Sequence, residues 1–174
     1  MTPNRVPLAV GSSRGRLLFT AVWIWCFALG TGFLSGCPSR IPLEYRPFFA
    51  LPLAEQDREI QKYPLDKQVD LYLSGVRVIR PPPIGLAYPI AKSGPAAVPG
   101  LLRRLRQAQD EVDQLFIIYV FEKMAKFYYP LKDNTDVVTS VREVVARMQD
   151  PLWRRESEAS LRVIAGLEPN DSQR

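Results

Sequence analysis

Carboxylates carry most of the chemistry this chain could perform. Asp110, Glu111 and Asp113 crowd together, and Glu156 and Glu158 form a second group. Glycoside cleavage needs only two such groups, one protonated and one ionised. Both sets also fall where helix starts and solvated faces ordinarily place acids, which is the simpler expectation. The 174 residues include no histidine. That excludes Ser-His-Asp and Cys-His nucleophile pairs, His-ligated zinc and an imidazole proton shuttle. Lys92, beside Ser93 and Gly94, is placed as a desolvated lysine nucleophile could be, but a loop lysine is normally solvated. Gly11-Ser12-Ser13-Arg14-Gly15 fits the G-x-S-x-G pattern of hydrolases, yet no strand precedes it and no histidine completes it. No phosphate-loop or dinucleotide fingerprint is present, so no cofactor and no metal is expected.

Arginines supply the best binding candidate. Arg77, Arg80, Arg103, Arg104 and Arg106 form a cluster suited to phosphate or carboxylate partners. The competing expectation is an ordinary solvated helix face. Between the two halves of the cluster runs Pro81-Pro82-Pro83-Ile84-Gly85-Leu86-Ala87-Tyr88-Pro89, either a docking surface or a stiff connector.

The first 36 residues have the layout of an export signal. Arg5, Arg14 and Arg16 precede an uncharged apolar run from Leu17 to Leu34. The run ends in Leu34-Ser35-Gly36-Cys37. This tetrapeptide resembles the lipobox of bacterial lipoproteins: an aliphatic residue, two small residues and an obligatory cysteine. The resemblance implies a diacylglyceryl group on the Cys37 thiol, cleavage before Cys37 and acylation of the new amine. Pro38, rather than an aspartate, follows the cysteine. By the family's sorting rule that implies the inner leaflet of an outer membrane, with the domain in the periplasm. The alternative is a plain transmembrane anchor, for which the run is short and is interrupted by Gly30, Thr31 and Gly32.

Loss of residues 1–36 removes three arginines and no acid, so the side-chain charge falls from +5 to +2. The basicity is then partly an export signal, and nucleic acid is not an expected partner. Cys26 leaves with the signal and Cys37 is acylated, so the mature chain has neither a free thiol nor a disulfide. The remaining length suffices for an apolar core without such staples.

The mature chain reads as helices. Residues 37–53, with Pro38, Pro42, Pro47 and Pro52, suggest the lipidated cysteine and an extended tether. Its Ile41, Leu43, Tyr45, Phe48, Phe49 and Leu51 would dock on their own domain, or rest on the bilayer or a partner. A helical domain follows over 54–167. A short charged helix is expected over 54–62, and Pro64 can open a second, with Leu65, Val69, Tyr72, Leu73 and Val76 at helical spacing. The β-branched end, 76–79, could instead be a short strand. Residues 84–92 suggest a short helix bent at Pro89, and Pro95 or Val98 begins the next. A longer helix over 110–127 is apolar all round, which marks it as the central core element. Asp133 or Thr135 would cap another, striped by Val137, Val138, Val141, Val144, Val145 and Met148. Asp150 and Pro151 start a last helix that Gly166 can stop, and a polar tail occupies 168–174.

Val98-Pro99-Gly100-Leu101-Leu102-Arg103-Arg104-Leu105 resembles the second helix of a HEAT-type repeat, which often reads V-P-x-L-L-x-x-L. The resemblance implies helix pairs at 54–79, 84–107 and 110–148, stacked as a short α-solenoid with 150–167 as a cap. The same residues also suit an irregular helical bundle. The fold class is all-α in either case. The functional expectation is a membrane-anchored, periplasm-facing lipoprotein acting as a non-catalytic interaction or envelope-assembly module, with a protein partner in the envelope. The alternative is a carboxylate-dependent cell-wall glycan hydrolase or glycan binder.

Overall fold

The computed structural model describes residues 41–167, which are helical and contain no strand. Eight α-helices appear among these residues: α1 (Arg46–Phe49), α2 (Leu53–Glu59), α3 (Leu65–Val78), α4 (Ala87–Lys92), α5 (Val98–Gln107), α6 (Glu111–Phe127), α7 (Thr135–Arg147) and α8 (Pro151–Ile164). Short 3-10 turns join or precede several of them. Residues 1–40 and 168–174, including the lipobox and the polar tail, lie outside the described residues.

Local signals set most boundaries. The Asp110 side chain accepts from Val112 N at 2.8 Å and starts α6. Asp150 accepts from Leu152 N and Trp153 N, and Pro151 follows as the first residue of α8. Gly166, at φ +69°, closes α8. Its N–H reaches Val163 O at 3.0 Å and that of Leu167 reaches Arg162 O at 2.8 Å, the paired bonds of a Schellman stop. The cap of α7 is Asn134, which accepts from Val137 N at 3.1 Å, rather than Asp133 or Thr135.

The core gathers around α6. Its Ile117, Ile118, Val120, Phe121 and Met124 are buried. It packs most extensively on α8, then on α4, with α5 and α3 completing its surroundings. Helix α8 is therefore a principal partner of the central helix and not a peripheral cap. Helices α6 and α7 follow each other in sequence but barely touch; α7 packs on α5 and α8 instead. Residues 76–78 stay helical although Val76 and Val78 are β-branched, because Val76 is buried in the core, and packing outweighs a weak local preference.

The extended tether expected over 37–53 is corrected for its described part. Residues Leu43–Tyr45 form a 3-10 turn and Arg46–Phe49 a helix, with Pro42 and Pro47 at positions that need no amide donor. Tyr45 and Phe48 are buried with the core, and Phe48 meets Phe49 and Tyr63 edge-on at 5.0 and 6.2 Å between ring centroids. Lys67 on α3 fixes this segment from outside, with Nζ 3.0 Å from Glu44 Oε1 and 4.1 Å from the Tyr45 ring centroid. Leu43 stays 74% exposed, whereas Tyr45 and Phe48, with the partly buried Ile41 and Phe49, serve their own domain. Gly75 on α3 makes room for them: a Cβ there would stand 2.8 Å from Pro83 Cγ and 2.9 Å from Phe49 Cε1.

Candidate functional site

The 3-10 turn at the start of the domain, α3, α5 and the beginning of α6 enclose an open groove of about 600 Å³. Arg77 and Arg104 line it together with Asp70, Asp110 and Asp113. The fold therefore brings part of the expected arginine patch and part of the expected carboxylate group to one place.

These charges are matched to one another. Arg77 donates Nε to Asp113 Oδ1 at 2.7 Å, and its Nη2 engages Oδ2. Asp113 is buried while Arg77 is half exposed. The carboxylate beside it raises the Arg77 pKa further, against the opposing effect of burial. Arg104 pairs with Asp70 at 2.7 Å, and Arg103 pairs with Asp66 at 2.8 Å on the exposed flank of α3 and α5. Arg106 donates to the Ser140 hydroxyl of α7 at 2.9 Å. Arg80 bonds the carbonyls of Val76 and Ile79, both at 2.9 Å, where α3 runs out of intrahelical donors. The five arginines stitch helices together or cap one, rather than standing as an unpaired cationic face.

Three of the five acids are committed in the same way, Asp113 through Arg77. Asp110 is the cap of α6. Glu111 reaches across to α8, where it accepts from Gln149 N at 2.5 Å and Asp150 N at 3.0 Å. Glu156 and Glu158 are exposed, and Glu156 lies 3.4 Å from Arg155. Lys92 is exposed too, beside Pro89 and Ser93.

A second cluster escaped the sequence reading. Between α6 and α8 lies an apolar hollow of about 320 Å³, lined by Phe116, Tyr119, Val163, Ser160, Glu122 and Glu156 among others. Lys123, although buried, donates to Glu122 Oε1 at 2.8 Å, and the Ser160 hydroxyl donates to Glu122 Oε2 at 2.7 Å. Burial alone would lower the Lys123 pKa, but Glu122 outweighs it and holds the ammonium above its ordinary value. The Lys123 ammonium also lies 4.2 Å from the Tyr119 ring centroid. Burial raises the Tyr119 pKa, opposed by Lys123. The only signal in the sequence was a charged pair inside an apolar helix, which reads equally well as a solvated stripe.

Leu34, Ser35, Gly36 and Cys37 lie outside the described residues. Among the described residues no three acidic or thiol side chains gather as a metal site, and no helix is long and apolar enough to cross a membrane. The chain matches no protein-family model, no curated protein and no solved structure.

Proposed function

We propose that this protein is a lipid-anchored, periplasm-facing module that binds another envelope protein and performs no catalysis. The lipobox-like Leu34–Cys37 supports the anchor, through acylation of Cys37 at the inner leaflet of an outer membrane. The observation that supports the non-catalytic half is the structural use of Asp110, Glu111 and Asp113. Asp110 caps α6, Asp113 grips Arg77 and Glu111 holds the entry to α8, so the hydrogen-bonding capacity of these three carboxylates is already spent on structure. The groove between α3, α5 and α6 offers both signs of charge at short range, which suits a polar peptide segment better than a phosphate.

One observation favours a second reading. Phe116 and Tyr119 stand beside Glu122 and Glu156 in the α6–α8 hollow, an arrangement of aromatic faces and carboxylates that a glycan could use.

Photocrosslinking in cells distinguishes the two. A crosslinking residue at Gln107, on the groove, is expected to capture one dominant envelope protein, and Ser74→Trp on the opposite wall is expected to abolish the capture. Recovery of cell-wall glycan through a probe at Ala159, with no protein at Gln107, would select the second reading. The anchor is tested separately: Cys37→Ala is expected to accumulate unprocessed precursor. Unchanged processing and fractionation of that variant would overturn the lipoprotein assignment.

A further inference from the structure

Leu53 of α2 and Ile84 line one shallow hollow of about 310 Å³. Tyr88 follows Ile84 by one helical turn, at the start of α4. Its ring lies 5.8 Å from that of Phe127, at the end of α6, and Phe127 lies 6.3 Å from Tyr128. These five side chains are 71, 46, 37, 51 and 44% exposed in that order. Leu53 with Ile84, and Tyr88 with Phe127 and Tyr128, make two patches of apolar and aromatic surface linked by the helical turn from Ile84 to Tyr88. Water gains nothing from such a face, and runs of this kind on a folded domain mark a surface that something covers.

Chain length indicates what covers it. Only residues 38–40 separate Cys37 from Ile41, which already packs against the core. Four peptide links span at most about 14 Å in any conformation. The headgroup layer on one side of a bilayer is itself about 5–8 Å deep. A domain held by acyl chains on Cys37 therefore cannot stand clear of the membrane, and one of its faces must oppose it. The Leu53–Ile84 end of the run is the part nearest the first helix after the anchor. Phe49, in the first helix after the anchor, crowds Gly75 together with Pro83, and Ile84 follows Pro83.

We infer that the Leu53–Ile84–Tyr88–Phe127–Tyr128 surface lies on the bilayer that holds Cys37. The inference rests on the lipoprotein reading, since without acylation nothing fixes the domain at a membrane. Its composition fits the headgroup region, where tyrosine puts an apolar ring inward and a hydroxyl toward water. Lys126, whose Nζ lies 5.5 Å from the Phe127 ring centroid, adds a positive charge beside the same face that a lipid phosphate could meet. Asp57 also lines the Leu53 hollow, and its negative charge opposes attraction to anionic lipid, so the contact is apolar in origin. Modest affinity suffices, because the anchor keeps the face at a high effective concentration beside the lipid. The polar groove, whose lining includes Pro42, would then open close to the membrane surface.

The mature chain has no free thiol once Cys37 is acylated, so a single introduced cysteine can carry an environment-sensitive fluorophore. Ile84→Cys and Phe127→Cys probe the surface, and Glu143→Cys, exposed on α7, is the control. The lipidated proteins are purified from cells and placed in phosphatidylethanolamine–phosphatidylglycerol vesicles carrying nitroxide-labelled lipid. Blue-shifted emission and lipid-borne quenching are expected at 84 and 127, and neither at 143. If either probe remains as water-exposed as the control while mass spectrometry finds acyl chains on Cys37, the inference is overturned and the anchor stands. Protection at 84 and 127 in cells but not in vesicles also overturns it, in favour of a protein partner on that face. Absence of acyl chains on Cys37 removes the lipoprotein reading itself. Unchanged helical circular dichroism of each variant excludes misfolding as the cause.

Discussion

Arg77 on α3 holds Asp113 on α6 through two hydrogen bonds, across 36 positions of sequence, with the carboxylate buried and the guanidinium half in solvent. The pair ties the central helix to the helix that carries the N-terminal segment. Arg77→Ala would leave Asp113 buried without its counter-charge. Because Arg77 is half exposed, the cost falls below that of a fully buried pair, at about 2 kcal/mol. Arg103→Ala, at an exposed pair, is expected to cost less than about 1 kcal/mol. Urea denaturation of both variants checks the ordering; equal losses would refute it.

Tyr72 lies fully buried on α3, edge-on to Phe116, and its hydroxyl finds no protein partner. A buried polar group left unpaired costs about 1–3 kcal/mol, so Tyr72→Phe is expected to stabilise the fold at neutral pH. Burial, reinforced by Tyr119, raises the Tyr72 pKa well above 10.0. Above the unfolded value the unfolded chain ionises first, so stability is full below about pH 10 and falls as pH climbs toward the folded value. Alkaline denaturation followed by circular dichroism is expected to begin later in Tyr72→Phe than in the parent.

Glu111 receives two backbone N–H groups at the entry to α8 while Asp150 caps the same helix. Glu111→Ala is expected to cost about 1 kcal/mol, the usual scale of a lost cap, and Asp150→Ala about the same. Hydrogen exchange in 149–154 should rise in both variants. Unchanged protection there would mean that packing of α8 on α6 alone holds the helix start.

Gly75 has no space for a methyl group between Pro83 and Phe49. Gly75→Ala gains helix propensity but forces these side chains apart, so a net loss of about 1–3 kcal/mol is expected. The first consequence should be release of α1, read as faster proteolysis within residues 41–53. A neutral effect would show that Phe49 can move aside without loss.

The helical class and most helix starts were legible because they depend on neighbours in sequence. Asp110, Asp150 with Pro151, and Gly166 each act within a few residues, through bonds that a short peptide can form. The central helix was legible too, since a segment apolar on every side has to be buried. Other features were not. Val76–Val78 favours a strand locally and is helical because the core takes Val76. The three prolines of 42–52 read as a tether, yet each sits where a helix start needs no donor.

Residue types alone determined that this protein has no imidazole for catalysis and that a lipobox-like cysteine follows an apolar run. They also assembled the right inventory of arginines and acids. Only the tertiary structure decided what that inventory does. Asp66 meets Arg103, Asp70 meets Arg104 and Asp113 meets Arg77 over separations of more than thirty residues, distances at which spacing carries no information about contact. Asp113, Arg77, Arg103 and Arg104, which look like parts of an acidic cluster and a cationic patch along the chain, become interhelical ties, because burying or crowding a charge is tolerable only beside its opposite.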